Sequence, residues 1–222
     1  MALLGLSLSI NTLQAAEPPS SEAVQASLDK IADRKLPEAD QKALQTVLQN
    51  TLNQLNNKRD YEQKLAELKQ TLSSAPKQTV ENQRELTRLK ASAVVPVAQR
   101  FAKESIQQLE QMLTERSTQQ SDLQKALGDA NSLIITAQTR PERAQAEISA
   151  SQTRIQQINN ILKNGKDAGK TLSAEQRDQL NAELAALNAL IPLRRQELAG
   201  NTQLQDLGNS QHDLLSERSD RL

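Results

Sequence analysis

The sequence predicts an all-α protein: elongated antiparallel helical hairpins packed as a coiled-coil-like bundle. Three observations carry this prediction. Aromatic residues make up 1% of the 222 positions, with one Phe, one Tyr and no Trp, so the large anchors of a compact core are missing. The hydrophobic content of 36% comes almost wholly from Ala, Leu, Ile and Val, which suffices for narrow helical stripes. Those aliphatic residues recur in alternating steps of three and four, and no alternating run bounded by Gly and Pro marks a sheet.

The chain opens on an apolar run, Ala2 to Ile10, followed by Asn11 to Ala16. This resembles the hydrophobic region and small-residue cleavage site of a signal peptide. Residues 1–16 are therefore expected to be a signal peptide and 17–222 an exported helical domain. No Lys or Arg precedes the run, which points to a truncated or misplaced start. The competing reading, the first turn of a buried helix, meets Glu17-Pro18-Pro19, which breaks any continuation. Beyond this point no stretch reaches the roughly 18 apolar residues that a membrane span requires.

Ser20 or Ser21 is placed to cap a short helix over about 21–34. Pro37 then starts a long helix to Ser73, because proline and the acidic Glu38 suit a first turn. Its seam, Leu44, Leu48, Thr51, Leu55, Lys58, Glu62, Leu65, Lys69 and Leu72, is ragged. Ser74-Ala75-Pro76 reads as punctuation opening a helix to Ala91. Ala93-Val94-Val95-Pro96-Val97, β-branched around a proline, reads as a loop.

Ser105 and Gln108 form a capping box. The clearest seam follows it: Ile106, Leu109, Leu113, Arg116, Gln120, Leu123, Leu127, Ala130, Ile134 and Ala137. Thr139, Pro141 and Glu142 predict a new helix start, with a seam at Ala144, Ile148, Ser151, Ile155, Ile158 and Leu162 that ends at Asn164-Gly165. Ser173 and Gln176 make a further capping box, leading to Leu180, Leu184, Leu187, Ile191, Arg194 and Leu198. Gly200-Asn201 predicts a stop, and Asn201 or Thr202 caps a last helix. The uncapped helical sequence at Asp220-Arg221-Leu222 leads us to expect a fragment of a longer chain.

Composition excludes several function classes. The 27 basic and 27 acidic residues are interspersed, which gives no pull toward nucleic acid or an anionic membrane, and two aromatic residues cannot form a stacking platform. The absence of cysteine removes disulfides, thiolate metal sites, cysteine nucleophiles and an acylated lipoprotein terminus. His212 stands alone, so neither a His-based metal site nor a Ser-His-Asp arrangement can be assembled.

The remaining motifs each carry a structural alternative. Asn164 to Thr171 (NGKDAGKT) ends in Gly-Lys-Thr like a phosphate loop, but Asn164 stands where glycine is required and a helix, not a strand, precedes it. A polar turn between helices is the expected outcome. Glu81 and Glu85 share a helix face with nothing to desolvate them and raise a pKa. Arg116 and Gln120 interrupt the best seam, either to set register or as its edge. Pro192, between Ile191 and Leu193, predicts a kink. No catalytic, cofactor-binding or metal-binding residue is expected, no cofactor, and no enzyme activity.

Two stretches carry a family resemblance: Thr139-Arg140-Pro141-Glu142-Arg143-Ala144-Gln145, and Gly200-Asn201-Thr202-Gln203-Leu204-Gln205-Asp206 through Ser219-Asp220-Arg221-Leu222. Together with a leader and Gln-rich paired helices, they resemble the N-terminal periplasmic, porin-type helical domain of large mechanosensitive channels of the MscS superfamily. The resemblance implies a channel that opens under membrane tension and releases ions and solutes on osmotic downshock. It implies rings of identical subunits in the inner membrane, with the pore outside this segment. The alternative from another class is a free periplasmic coiled-coil adaptor or scaffold, such as a cell-wall hydrolase activator or an efflux adaptor hairpin.

Overall fold

The computed structural model describes residues 17–222; the expected signal peptide, residues 1–16, lies outside the described residues. The elements in order are α1 (Ser21–Asp29), a 3-10 turn (Ala32–Arg34), α2 (Glu38–Ala91), α3 (Val97–Arg100), α4 (Ile106–Asn164), β1 (Lys166–Asp167), β2 (Lys170–Thr171) and α5 (Ala174–Asp220). The fold is all-α, its long helices paired as hairpins.

Helix starts follow the expected caps. Ser20 Oγ accepts from the Ala23 N–H at 3.2 Å. At the head of α4, the Gln108 N–H donates to Ser105 Oγ and the Ser105 N–H to Gln108 Oε1, at 3.3 and 2.8 Å. Ser173 and Gln176 repeat this at the head of α5, at 3.1 and 2.9 Å. Each box satisfies two backbone donors that the first turn leaves without partners. Residues 92–96 are non-helical, as Val94-Val95-Pro96 requires.

Three expected helix breaks are absent. α2 runs through Pro76, α4 through Thr139 and Pro141, and α5 through Gly200 and Asn201. The reason is phase. Leu72 and Ala75 are buried on one side of Pro76, and Ala137, Ala144 and Ile148 keep the same three-four stepping across Pro141. Two packed half-helices outweigh the roughly 3 kcal/mol that an interior proline costs. Thr139 does not cap; its hydroxyl donates to the Ile135 carbonyl at 3.1 Å. Gly200 does not stop α5 either. It is buried, and a Cβ there would overlap the Leu72 side chain, so this glycine admits a neighbouring helix. The first helix is shorter than expected, ending at Asp29 before the 3-10 turn and Lys35 at φ 49°.

The chain divides into two compact units. Unit 1 holds residues 17–60 and 153–189. Within it the end of α4 and the start of α5 run antiparallel: Arg154 grips Glu183 with Nε and Nη2 at 2.6 and 2.9 Å, and Gly165 lies beside Arg177. Its buried residues include Val24, Leu48, Ile158, Leu172, Ala182 and Leu184. Thr51, 0% exposed, satisfies its hydroxyl on the Val47 carbonyl at 2.8 Å.

Unit 2 holds residues 61–152 and 190–222 and packs three helical passes. α4 and α5 are antiparallel, with Ile134 against Gly208, Arg140 against Glu197 and Glu147 against Arg194. α2 and α5 are parallel. Leu72 lies against Gly200, Asn82 donates to Ser210 at 3.2 Å, Arg218 to Glu85 at 3.1 Å and Arg221 to the Ser92 carbonyl at 3.2 Å. Covered from two sides, α5 buries Leu193, Glu197, Leu204, Leu207, Ser210 and Leu214. That face is wider than a heptad seam. Of the six seam positions expected on α5, only Leu184 and Ile191 are fully buried.

Candidate functional site

The phosphate-loop-like stretch is a turn. α4 ends at Asn164, and Gly165 takes φ 67° while its N–H bonds to the Ile161 carbonyl at 2.9 Å. A two-residue hairpin follows, Lys166 pairing with Thr171 and Asp167 with Lys170 around Ala168 (φ 46°) and Gly169 (φ 81°). Positive φ at both central residues is the tight hairpin turn that matches strand twist. Leu172 closes it, buried, with its N–H on the Gly165 carbonyl. Lys170 and Thr171 are exposed and form the second strand of the hairpin, whereas the first turn of α5 begins at Ala174, capped by Ser173. The stretch reverses the chain between α4 and α5.

Charged side chains do gather on the α4–α5 hairpin of unit 2. Arg194 Nε meets Glu147, and its Nη1 donates to Glu197 at 2.8 Å. Arg140 Nε lies 3.8 Å from Glu197, and Arg143 Nε lies 3.9 Å from Glu147. Burial opposes the charge on Arg194, but the Glu197 and Glu147 carboxylates outweigh it and raise its pKa. Glu197 is 9% exposed. Arg140 buries Nε and Nη1 without a hydrogen-bond partner, a costly arrangement in a low-dielectric interior. This cluster links helices; every acid in it is neutralised by a cation.

In unit 1, Arg34 donates to Glu175 at 2.6 Å, holding its carboxyl below the usual carboxylate range. Burial, helped by the nearby Glu175 charge, pushes Asp178 the other way. The hydrogen bond to Glu183 raises the pKa of Arg154. Arg34–Glu175 and Arg154–Glu183 are partly exposed ion pairs.

The other residues singled out in the sequence do not converge. Glu81 pairs with Lys77 at 3.8 Å, while Glu85 accepts from Arg218. His212 is half-buried, its Nδ1 3.6 Å from Asp213. Arg116 donates to Gln119 at 3.2 Å, and Gln120 is exposed. Among the described residues no group of three or more His, Cys, Asp or Glu could hold a metal ion, and no helix is long and apolar enough to cross a membrane.

The most prominent surface feature lies on the first turns of α4. Ile106 and Leu113 are 77% and 72% exposed and Leu109 is 37% exposed, although they belong to the stripe that is buried further along at Ala130 and Ala137. A groove of about 430 Å³, lined by Leu123, Ala126, Arg218 and Leu222, lies next along this helix. The aliphatic seam thus runs from packed to unpacked.

In unit 2, antiparallel α4 and α5 with α2 alongside α5, an interhelical charge cluster and a bare apolar seam make an all-α bundle. The model for the mechanosensitive ion channel porin domain matches residues 27–222. The chain belongs to this family. It is 31% identical over 206 residues to the "Mechanosensitive channel MscK" of Escherichia coli K12, a match covering 92% of this chain and 18% of that protein. It is also 31% identical over 151 residues to an "Uncharacterized MscS family protein" of Haemophilus influenzae, covering 68% of this chain and 13% of that one. The chain thus spans less than a fifth of the length of these curated relatives. No solved structure matches it.

Within this porin-domain chain, the charge cluster is what sequence reasoning missed. Its signal was available: Glu197 falls in step with Leu193, Gly200, Leu204 and Leu207, a glutamate inside a buried stripe, and Arg140 and Glu147 lie seven residues apart on one face of α4. A carboxylate in such a position demands a cation from the facing helix.

Proposed function

We propose that residues 17–222 form a non-catalytic periplasmic domain of an inner-membrane mechanosensitive channel that releases ions and solutes on osmotic downshock. Residues 1–16 are its export signal, and the pore lies outside this segment. The domain has an accessory role in assembly, contacting other subunits of a homo-oligomeric channel. Membership of the porin-domain family supports the channel assignment. The observation that carries the accessory role is the unpacked seam at Ile106, Leu109 and Leu113, since an aliphatic stripe left in water at heptad spacing favours association.

The test is patch-clamp recording of the whole channel with residues 17–222 deleted, beside a variant carrying Ile106→Ser, Leu109→Ser and Leu113→Ser. Tension-activated current of unchanged single-channel conductance is expected in both, with fewer assembled channels in the triple variant on native gels. A changed conductance would mean that part of the pore lies here. Undiminished assembly in the triple variant would refute the contact role.

A further inference from the structure

Unit 2 carries two exposed helical patches built at the same spacing around opposite charges. On α4 the bare seam sets Ile106, Leu109 and Leu113 around Glu110, which lies four residues after Ile106 and three before Leu113 and so stands in the same stripe. On α2 a groove of about 300 Å³ is lined by Val80, Gln83, Arg84 and Thr87, all four exposed. Arg84 lies four residues after Val80 and three before Thr87. Among the described residues neither Glu110 nor Arg84 has an ion-pair partner. The carboxylates beside Arg84 are already taken, Glu81 by Lys77 and Glu85 by Arg218.

The two patches do not meet within one copy. Glu85, next to Arg84, accepts from Arg218, and Arg218 lines a groove with Asp122 and Leu123 of α4. Arg84 is thus level with the stretch of α4 around Asp122, about 18 Å along that helix from Glu110. A second seam is a poor cover for the first, because two seams laid in register oppose glutamate to glutamate. The α2 groove offers the opposite arrangement, an arginine between Val80 and the Thr87 methyl at the spacing of Ile106, Glu110 and Leu113. A planar guanidinium donates two parallel hydrogen bonds to a carboxylate, and aliphatic groups on either side exclude water from the pair.

We infer that the bare seam of α4 docks on the Val80–Arg84–Thr87 groove of α2 in a second copy of this chain, with Glu110 against Arg84 at its centre. This rests on the proposed contact between subunits and names the surface that the seam meets. Because two different patches are joined, the contact is heterologous and propagates from copy to copy until a ring closes. The offset between the patches staggers neighbouring copies along their helices, so those in a closed ring lean against its axis. Both patches are short beside the roughly 1,600 Å² that a stable interface buries. A single contact is therefore weak, and it strengthens when every copy makes two.

Disulfide trapping tests it on a chain that has no cysteine of its own. Chains bearing only Glu110→Cys are mixed with size-tagged chains bearing only Arg84→Cys and oxidised. The mixed dimer should dominate over both homodimers. An excess of the Glu110→Cys homodimer would mean seam against seam, and no dimer would mean no contact; either overturns the docking. Sedimentation equilibrium then reads the charges. Glu110→Arg and Arg84→Glu should each weaken association by about fivefold, and both in one chain should restore it. Single reversals without effect, or a double reversal that fails to recover, would overturn the pairing. Failure of the wider reading looks different. Undiminished association with Ile106→Ser, Leu109→Ser and Leu113→Ser removes any contact role for the seam, whereas loss in that variant with no response to Arg84→Glu keeps the role and removes only this partner surface.

Discussion

Units 1 and 2 draw on the same three long helices, yet they are held in place by different means. Unit 1 fixes its helices at their ends. It contains the Ser20 cap, the Ser173–Gln176 box and the hairpin at Lys166–Thr171, and its buried hydroxyl at Thr51 is satisfied. Unit 2 fixes its helices along their lengths, through Gly200 against Leu72, Gly208 against Ile134 and the Arg140–Glu197–Arg194–Glu147 cluster. Unit 2 also holds the three interior prolines and the exposed large aliphatic residues, among them Val94, Val95, Ile106 and Leu113. Local rules carry more of the first unit, beside the long-range ties Arg34–Glu175 and Arg154–Glu183. Long-range contacts, some of them costly, specify the second.

The comparison breaks first, if it breaks, at Glu197. Glu197→Ala takes away the carboxylate that faces the partly buried Arg140 and one of the two that hold Arg194, which keeps Glu147, and losing one partner of a buried pair costs about 3–5 kcal/mol. Thermal denaturation followed by circular dichroism should show that loss, with hydrogen exchange assigning it to unit 2. A loss under about 1 kcal/mol would mean that the cluster is solvated and that the contrast between the units is false. Gly200→Ala comes next. Overpacking against Leu72 should cost about 1–3 kcal/mol, even though alanine gains nearly 1 kcal/mol in helix propensity. A stabilised variant would show that Leu72 moves aside freely.

Much of this was legible in sequence. The capping boxes at Ser105 and Ser173 and the turn at Gly165 depend on residues three or four apart, so they could be read directly. The helix breaks expected at Pro76, Thr139 and Gly200 failed because their fate depends on partners distant in sequence. Phase continuity across Pro76 and Pro141 was visible in the stripe, but Leu72 beside Gly200 was not, since nothing local says which helix approaches. The α5 stripe was read too narrowly for the same reason: a helix between two neighbours needs a wider face than one neighbour requires.

Unit 1 offers two finer tests. Ser173→Ala removes one half of a capping box and should cost about 1 kcal/mol, with exchange rising in the first turn of α5. An effect spread through unit 2 would contradict specification by local rules. The smallest effect is on acid stability. The folded-state pKa of Glu175 lies below its unfolded value through the hydrogen bond from Arg34. Its contribution is therefore present above the ordinary carboxylate pKa, near pH 4.3, and is lost as pH falls through the folded value. With Arg34 40% and Glu175 24% exposed at the side chain, solvent screening keeps this below about 1 kcal/mol. Asp178, raised by burial, acts with the opposite sign and gains stability on acidification. Melting temperatures of Glu175→Gln and the unsubstituted chain should differ at neutral pH and converge in acid; a constant gap would rule out this ion pair as the cause.

The odd number of passes in unit 2 has a mechanical corollary. A simple hairpin returns its polypeptide to the side from which it came, so tugging on both strands merely unzips it one rung at a time. Because α2 and α5 point the same way and α4 is reversed, Tyr61, the first residue of unit 2, and Asp220, the end of its last pass α5, lie at opposite ends of the packed helices, although the chain leaves the unit between Gln152 and Leu190. A pull applied there runs in series through the helices and loads their interfaces in shear, the geometry in which many side chains must let go at once.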